Sequence, residues 1–60
     1  MLRNYYVVTG ITEKFFTREE AVEAAKNLVR HGGWTTVKTM RPSEYWGGKD
    51  TVVDTEYVDK

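Results

Sequence analysis

The residues of this chain best suited to noncovalent recognition lie between positions 41 and 50. Two adjacent aromatic residues, Tyr45 and Trp46, stand in a connection that also contains Gly47 and Gly48. Tyrosine, tryptophan and arginine dominate the binding energy of protein interfaces, and loops carried by a rigid scaffold concentrate binding residues. The pattern therefore predicts a binding loop. The same residues leave an alternative open, in which Trp46 folds back as a lid over an open edge of the small core.

Two classes of partner fit the residue types around this loop. The first is a protein, which would contact the loop and the uncovered face of a β-sheet that also carries Tyr5 or Tyr6. The predicted binding residues combine rings, cations and one thioether: Arg41, Tyr45, Trp46, Lys49, Trp34, Met40 and Lys38. The second class is a nucleic acid, whose phosphates Lys38, Arg41 and Lys49 would follow while a base stacks on a ring.

Charge favours the protein partner over the nucleic acid. Nine basic and nine acidic side chains cancel, whereas nucleic-acid-binding domains carry an excess of positive charge. Residues 1–49 hold eight Lys or Arg and five acids, and residues 50–60 hold four acids and Lys60 alone. If the acidic segment pairs as a strand beside the others, the two parts of the chain neutralise each other.

No group of residues has the pattern of a catalytic or metal centre. His31 is the only histidine and cysteine is absent, which leaves too few soft ligands for a structural zinc site. Glu19, Glu20 and Glu23 share one helical turn, and the favourable interaction of acids with a helix start explains them. No nucleophile, base and orienting group occur in a recognisable combination. We therefore expect no enzymatic activity, no metal and no cofactor.

One helix is marked at both ends. Thr17 is a suitable N-cap, and Glu20 three residues later completes a capping box. An apolar stripe follows at helical spacing: Ala21, Val22, Ala25, Leu28 and Val29. Gly32 is predicted to end the helix at C′, where a left-handed conformation favours glycine.

Three segments have the β-branched and aromatic composition of strands and are bounded by turn residues. They are residues 4–9, 34–41 and 51–58. Residues 11–16 fit either a short edge strand or an extended lead into the helix. In the segment 34–41 one face carries Trp34 and Met40 and the other carries Val37 and Arg41, and the pattern does not decide which face meets the helix.

These elements predict a single small α+β domain over residues 1–60, with one helix packed on a three- or four-stranded β-sheet in β-α-β-β order. The first strand and the strand after the crossover helix are expected to run parallel, as neighbours or on either side of a third strand. The last two strands are expected to pair antiparallel. The helix covers one face of the sheet and leaves the other to water or to a partner.

The sequence also resembles a class of small proteins. Tyr-Val-Val followed by Phe-x-Thr-x-x-Glu-Ala-x-x-x-Ala-x-x-Leu, which spans about half of the chain, is similar to the pattern of small βαββ accessory proteins encoded by bacteria and their phages. The resemblance implies a protein that binds one host or viral macromolecule, often as a dimer, and inhibits or modulates it. It transfers no site residues.

Size and composition limit how this fold can be stabilised and where the protein is expected to reside. A 60-residue domain buries only about 60 % of the surface that its unfolded chain exposes, so packing or oligomerisation must supply support when disulfides are absent. A homodimer is therefore an open alternative. The first residues lack an apolar signal segment, and no apolar run approaches the ~20 residues of a membrane span. We expect a soluble, cytoplasmic protein without a membrane partner.

Overall fold

The chain folds into one helix and one β-sheet, as seen in a computed structural model that describes residues 3–59. The elements, in chain order, are β1 (Tyr5–Val8), β2 (Lys14–Phe15), α1 (Arg18–Leu28), β3 (Trp34–Arg41) and β4 (Thr51–Asp59). The α+β class and the single helix are confirmed. Within residues 3–59, no helix has the length and apolar character that crossing a membrane would require.

The sheet has four strands in the order β2-β1-β3-β4, and every neighbouring pair is antiparallel. The predicted β-α-β-β order is wrong, because the chain has a short strand before the helix and the order is β-β-α-β-β. Lys14 and Phe15 form that strand by pairing with Val7 and Tyr6. The expected parallel arrangement of the first strand and the strand after the helix is also wrong, since β1 and β3 are antiparallel neighbours. Because β2 reverses the chain, the crossover through α1 joins β2 and β3, which run parallel, and β1 lies between them and antiparallel to both.

The helix begins as predicted and ends earlier than predicted. The Thr17 hydroxyl oxygen accepts a hydrogen bond from the Glu20 amide at 3.2 Å and donates to the Glu20 carboxylate at 2.8 Å. The helix ends at Leu28 with Val29 as its C-cap, so the predicted end at Gly32 is wrong. Gly32 instead lies in a separate turn, where its φ is +117°. The Gly32 amide donates to the Val29 carbonyl at 2.9 Å.

A single layer of small apolar side chains joins the helix to the sheet. Ala21 and Ala25 on α1 are completely buried, and because alanine is short the helix backbone lies close to the strands. The buried cluster takes one valine from each of three strands and one from the helix end: Val8, Val37, Val58 and Val29. The helix therefore packs on the face of β3 that carries Val37, and the alternation of side chains places Trp34, Lys38 and Met40 on the open face.

The close approach of helix and sheet makes Ala25 sensitive to added volume. We expect Ala25→Leu to lower the free energy of unfolding by about 1–3 kcal/mol, because the longer side chain must push α1 away from the valines. The measurement is urea denaturation followed by circular dichroism. Ala24→Leu is the matched control, since Ala24 lines an open groove of about 460 Å³ beside Leu28. Equal stability of both variants would show that the layer is not tightly packed.

Candidate functional site

The connection between β3 and β4 is a hydrogen-bonded turn. The Gly48 amide donates to the Tyr45 carbonyl at 3.0 Å, and Gly47 has a φ of +79°, as the third residue of a type II turn requires. Before the turn, the Ser43 hydroxyl donates to the Tyr45 carbonyl at 3.0 Å and accepts from the Tyr45 amide at 3.1 Å. The segment that carries Tyr45 and Trp46 therefore has a defined conformation.

Gly48 closes the turn against Ser43. A Cβ atom placed on Gly48 would lie 2.1 Å from the Ser43 hydroxyl oxygen and 3.2 Å from the Tyr45 carbonyl oxygen. Because both of these oxygens take part in the turn, a side chain at position 48 would displace them. Glycine is therefore favoured here by close approach, since a side chain would force the Ser43 hydroxyl out of its hydrogen bonds with Tyr45.

Asp50 connects this turn to β1, one of the two inner strands of the sheet. One of its carboxylate oxygens accepts a hydrogen bond from the Ser43 amide at 2.9 Å, and the other accepts from the Tyr5 hydroxyl. Tyr5 is only 8 % exposed, and the Lys14 ammonium lies 4.8 Å from the centre of its ring. One carboxylate thus holds the base of the loop against β1.

The electrostatics of this anchor correspond to a neutral phenol bound to a charged carboxylate. The Tyr5 hydroxyl, then the Ser43 amide and more weakly the Lys14 charge hold the pKa of Asp50 below its ordinary value of 3.8, against a desolvation effect in the other direction. The hydrogen bond to Asp50, then desolvation and the carboxylate charge raise the pKa of Tyr5 above its ordinary value of 10.0. The anchor is therefore formed across neutral pH.

The two aromatic residues of the turn point into solvent. Trp46 is fully exposed, with a relative accessibility of 103 %, and Tyr45 is 80 % exposed. The alternative in which Trp46 covers an edge of the core does not hold in this structure. The turn places an indole where a partner can reach it from several directions.

Two cations lie beside the aromatic turn. Arg41 at the end of β3 and Lys49 line a shallow cleft of about 260 Å³ together with Glu44 and Tyr45. Arg41 pairs with Thr51 at the start of β4. The structure thus brings together four of the predicted binding residues, Arg41, Tyr45, Trp46 and Lys49, at one end of the β3–β4 hairpin.

The other predicted binding residues lie along the open face of the sheet. Met40 pairs with Tyr5 on one side and Val52 on the other, close to the loop. Lys38 follows in the middle of β3. Trp34 lies at the opposite end of that strand, about 20 Å from Met40 at the usual rise per residue, where its ring centre is 5.8 Å from that of Tyr57. The predicted site therefore divides into a loop end and a distant aromatic pair.

Sequence reasoning missed the residues that hold the loop in place. Ser43, Gly48 and Asp50 make the turn and its anchor, and Tyr5 belongs to the anchor as well. Serine and aspartate are frequent in turns because they bond to nearby main-chain groups, so Ser43 and Asp50 carried a local signal. The partnership of Tyr5 with Asp50 joins residues 45 positions apart and had none.

Comparison with protein-family models, curated proteins and solved structures finds no significant match to this chain. The resemblance to small phage and bacterial accessory proteins therefore stays a prediction. The geometry of the loop and of the sheet is what bears on function.

The anchor predicts a pH-dependent loop. Because folding lowers the pKa of Asp50, the contribution of this carboxylate is complete above its ordinary value of 3.8 and is lost as pH falls through the lowered value. Because folding raises the pKa of Tyr5, the contribution of the phenol is complete below 10.0 and is lost as pH rises through the raised value. We expect the Ser43 amide resonance in NMR spectra to follow the acid transition with a midpoint below 3.8.

Asp50→Asn should weaken the attachment of the loop at neutral pH, as acid does for the unmodified chain, because the neutral amide is a weaker acceptor than the carboxylate. Hydrogen exchange at Ser43 and Gly48 should accelerate while exchange in the core stays slow. Asp54→Asn is the matched control, since that carboxylate takes no part in these loop hydrogen bonds. Unchanged exchange in Asp50→Asn would mean that the turn holds itself without the anchor.

Proposed function

We propose that this chain is a non-catalytic protein-binding module that presents the Tyr45–Trp46 turn to a partner protein and modulates the partner by occupying its surface. The observation that carries the proposal is the full exposure of Trp46 on a hydrogen-bonded turn. An indole in water contributes no burial to the stability of this fold. Transfer of the same ring from water into a pocket of a partner lowers the free energy of the complex.

The conformation of the turn favours tight use of this ring. Ordering a flexible loop on association costs conformational entropy and reduces affinity. Here Ser43 and Gly48 already hold the turn, and Asp50 attaches it to β1. Most of the ordering is therefore complete before the partner arrives.

Burial of the indole alone is not enough for stable association. A tryptophan side chain buries about 150–250 Å², which corresponds to about 4–6 kcal/mol at roughly 25 cal/mol per Å². The loss of translational and rotational freedom costs about 4–15 kcal/mol, so neighbouring contacts must contribute. Tyr45, Arg41 and Lys49 lie in position to do so around the adjacent cleft.

The residues of the loop also indicate what the partner offers. An apolar pocket of the size of an indole would receive Trp46, and acidic groups at its rim would meet Arg41 and Lys49. Tryptophan and arginine are the residue types most enriched among hot spots at the centres of protein interfaces. This combination favours a concave, acid-rimmed surface on the partner.

A nucleic acid remains the competing partner, supported by the convergence of Arg41 and Lys49 beside two exposed rings. The third predicted cation, Lys38, lies on the open sheet face rather than with them, and Glu44 lines the same cleft. A phosphate backbone would meet this carboxylate. We therefore favour the protein, and we expect its binding to weaken far less with rising salt than phosphate-dominated binding does.

The proposal predicts that one side chain dominates affinity. Trp46→Ala should weaken binding to the captured partner by about 30-fold or more, as expected for a hot spot worth about 2 kcal/mol. The stability of the free chain should not change, because Trp46 is fully exposed. The partner is captured from cells in which the chain is native by a photo-crosslinker at the exposed position 44, which leaves Trp46 in place, and affinity is then measured by calorimetry.

Trp34→Ala is the matched control for this measurement. It removes an indole that is also largely exposed, at 67 %, from the opposite end of the same hairpin. We expect Trp34→Ala to retain the affinity of the unmodified chain. Equal affinity of Trp46→Ala and the unmodified chain would remove the loop from the interface, and capture of nucleic acid alone would favour the competing partner.

A further inference from the structure

The outer edge of β4 is a second surface with the properties of a binding site. Strand β4 has nine residues and lies at the end of the sheet, paired with β3 on one side only. Most of its residues are exposed, including Val52, Val53 and Tyr57. A long exposed edge presents unpaired main-chain groups that can form hydrogen bonds with another strand.

The register of the sheet identifies which groups point outwards. The Thr9 amide donates to the Thr36 carbonyl at 3.1 Å, so the main-chain groups of Thr36 face β1. The N–H and C=O of a strand residue point to the same side, and this side alternates along the strand. The groups of Val37 therefore face β4, where they meet those of its partner Glu56.

The same alternation leaves the residues on either side of Glu56 with outward main-chain groups. The N–H and C=O of Thr55 and of Tyr57 point away from β3, and no strand among residues 3–59 lies beyond them. An added antiparallel strand would form hydrogen bonds with these two residues. Such strand addition is a common mode of peptide recognition.

A groove beside this edge offers room for the side chains of an added strand. It lies between α1 and β4, has a volume of about 290 Å³ and includes Val22, Lys26 and Val58 in its lining. A strand added to β4 would direct every second side chain over this groove. Small side chains suit that position, where Val22 and Val58 contribute apolar surface and Arg18, Lys26 and Glu56 contribute charged surface.

The charges along β4 determine the character of the added strand. Asp54 and Glu56 lie on the helix side, and Asp59 lies on the open face. Among residues 3–59 the ion pair of this strand is the one between Glu56 and Arg18, so Asp54 and Asp59 are left for an outside cation. Opposite charges on facing residues stabilise a strand pair, and like charges destabilise it.

A second copy of this chain fits the edge poorly. When β4 pairs antiparallel with β4 of a second copy, a two-fold axis passes through one pair of equivalent residues. An axis at Thr55, the middle residue of β4, keeps all nine residues of the strand paired. That register sets Asp54 directly opposite Glu56 on both sides of the axis, which is unfavourable. The acidic character of the edge therefore selects against self-pairing and in favour of a basic segment.

We propose that the free edge of β4 binds an extended basic segment of a partner protein by antiparallel strand addition, with main-chain hydrogen bonds to Thr55 and Tyr57 and with basic side chains opposite Asp54 and Asp59. This surface is separate from the Tyr45–Trp46 turn. It fits a partner segment that has small apolar side chains over the groove and cations opposite Asp54 and Asp59. The two sites can therefore be tested independently.

The test uses a synthetic strand matched to this register. The probe is the peptide Lys-Val-Thr-Val-Thr-Lys-Thr, in which the two lysines lie opposite Asp59 and Asp54 and the two valines lie over the groove. We expect the Thr55 and Tyr57 amide resonances of the isotope-labelled chain to shift on addition and their hydrogen exchange to slow. The matched peptide has glutamate in place of both lysines. Its affinity should be lower by about tenfold or more, since two attractive pairs become repulsive.

Two further changes separate strand addition from nonspecific charge attraction. Methylation of the amides of the first two threonines of the peptide removes the donors to β4 and should abolish binding while leaving the charge unchanged. Thr55→Pro in the chain should do the same, because proline at an outward-facing edge position removes no hydrogen bond to β3. Thr55→Val is the control variant, which keeps the amide and should bind the peptide as the unmodified chain does.

Each remaining outcome has a definite meaning. Binding of the methylated peptide with undiminished affinity would overturn strand addition, even if Thr55→Pro failed to fold. If the lysine peptide does not bind, the proposal is wrong, and the acidic residues of the edge serve only to prevent aggregation. Concentration-dependent dimerisation in light scattering that Thr55→Pro removes would also overturn it in favour of a second copy. Trp46→Ala should leave peptide binding unchanged, so failure of the loop proposal does not affect this result.

Discussion

The structure depends on a mismatch in length between its one helix and its sheet. Helix α1 has 11 residues and is about 16 Å long, whereas β4 has nine residues and spans about 30 Å. The helix therefore covers the valine layer, together with Tyr6 and Phe15 beside it, and leaves the rest of this face of the sheet uncovered. The loop end of the β3–β4 hairpin, the open face and the outer edge of β4 all remain accessible. The chain is correspondingly elongated, with extents of 40 × 17 × 16 Å.

Because the apolar layer ends before the hairpin does, polar contacts must hold the loop end. Asp50 fulfils this role by accepting hydrogen bonds from the Tyr5 hydroxyl and the Ser43 amide. A hydrogen-bonded anchor differs from a packed one in that it responds to pH and leaves the nearby rings unburied. The same contact that orders the turn therefore leaves Tyr45 and Trp46 available to a partner.

The predictability of each element follows the range of the interactions that form it. Strand β3 was predicted with its full extent because Gly33 and Pro42 bound a β-branched segment, and the Thr17 cap was predicted because its partner is three residues away. The two-residue strand β2 has too little sequence to carry a period. Its presence depends on pairing with β1, and it alone decides that β3 runs antiparallel to β1.

The helix end and the candidate site show the same limit. Glycine at position 32 indicated a chain reversal near the helix end but not the turn that separates it from Val29. The residue types at positions 41 to 49 indicated a binding loop, and the structure gathers them at one end. The separation of Trp34 from that loop follows from the full length of β3. The anchor between Tyr5 and Asp50 had no local pattern, because it forms only when β3 has paired with both β1 and β4 and has brought the start of β1 near the residue that precedes β4.

The two proposed surfaces are adjacent along the chain, so that one partner can contact both at the same time. The connection that carries Trp46 leads directly into Thr51, the first residue of β4. A segment that runs antiparallel along β4 starts beside Asp59 and ends beside Thr51, so the part of the partner that follows it emerges next to the turn. Once the strand is paired, contact with Trp46 becomes an intramolecular event with a high effective concentration. Two individually weak contacts could in this way give one specific complex, provided that the partner has its acid-rimmed pocket immediately after the basic strand.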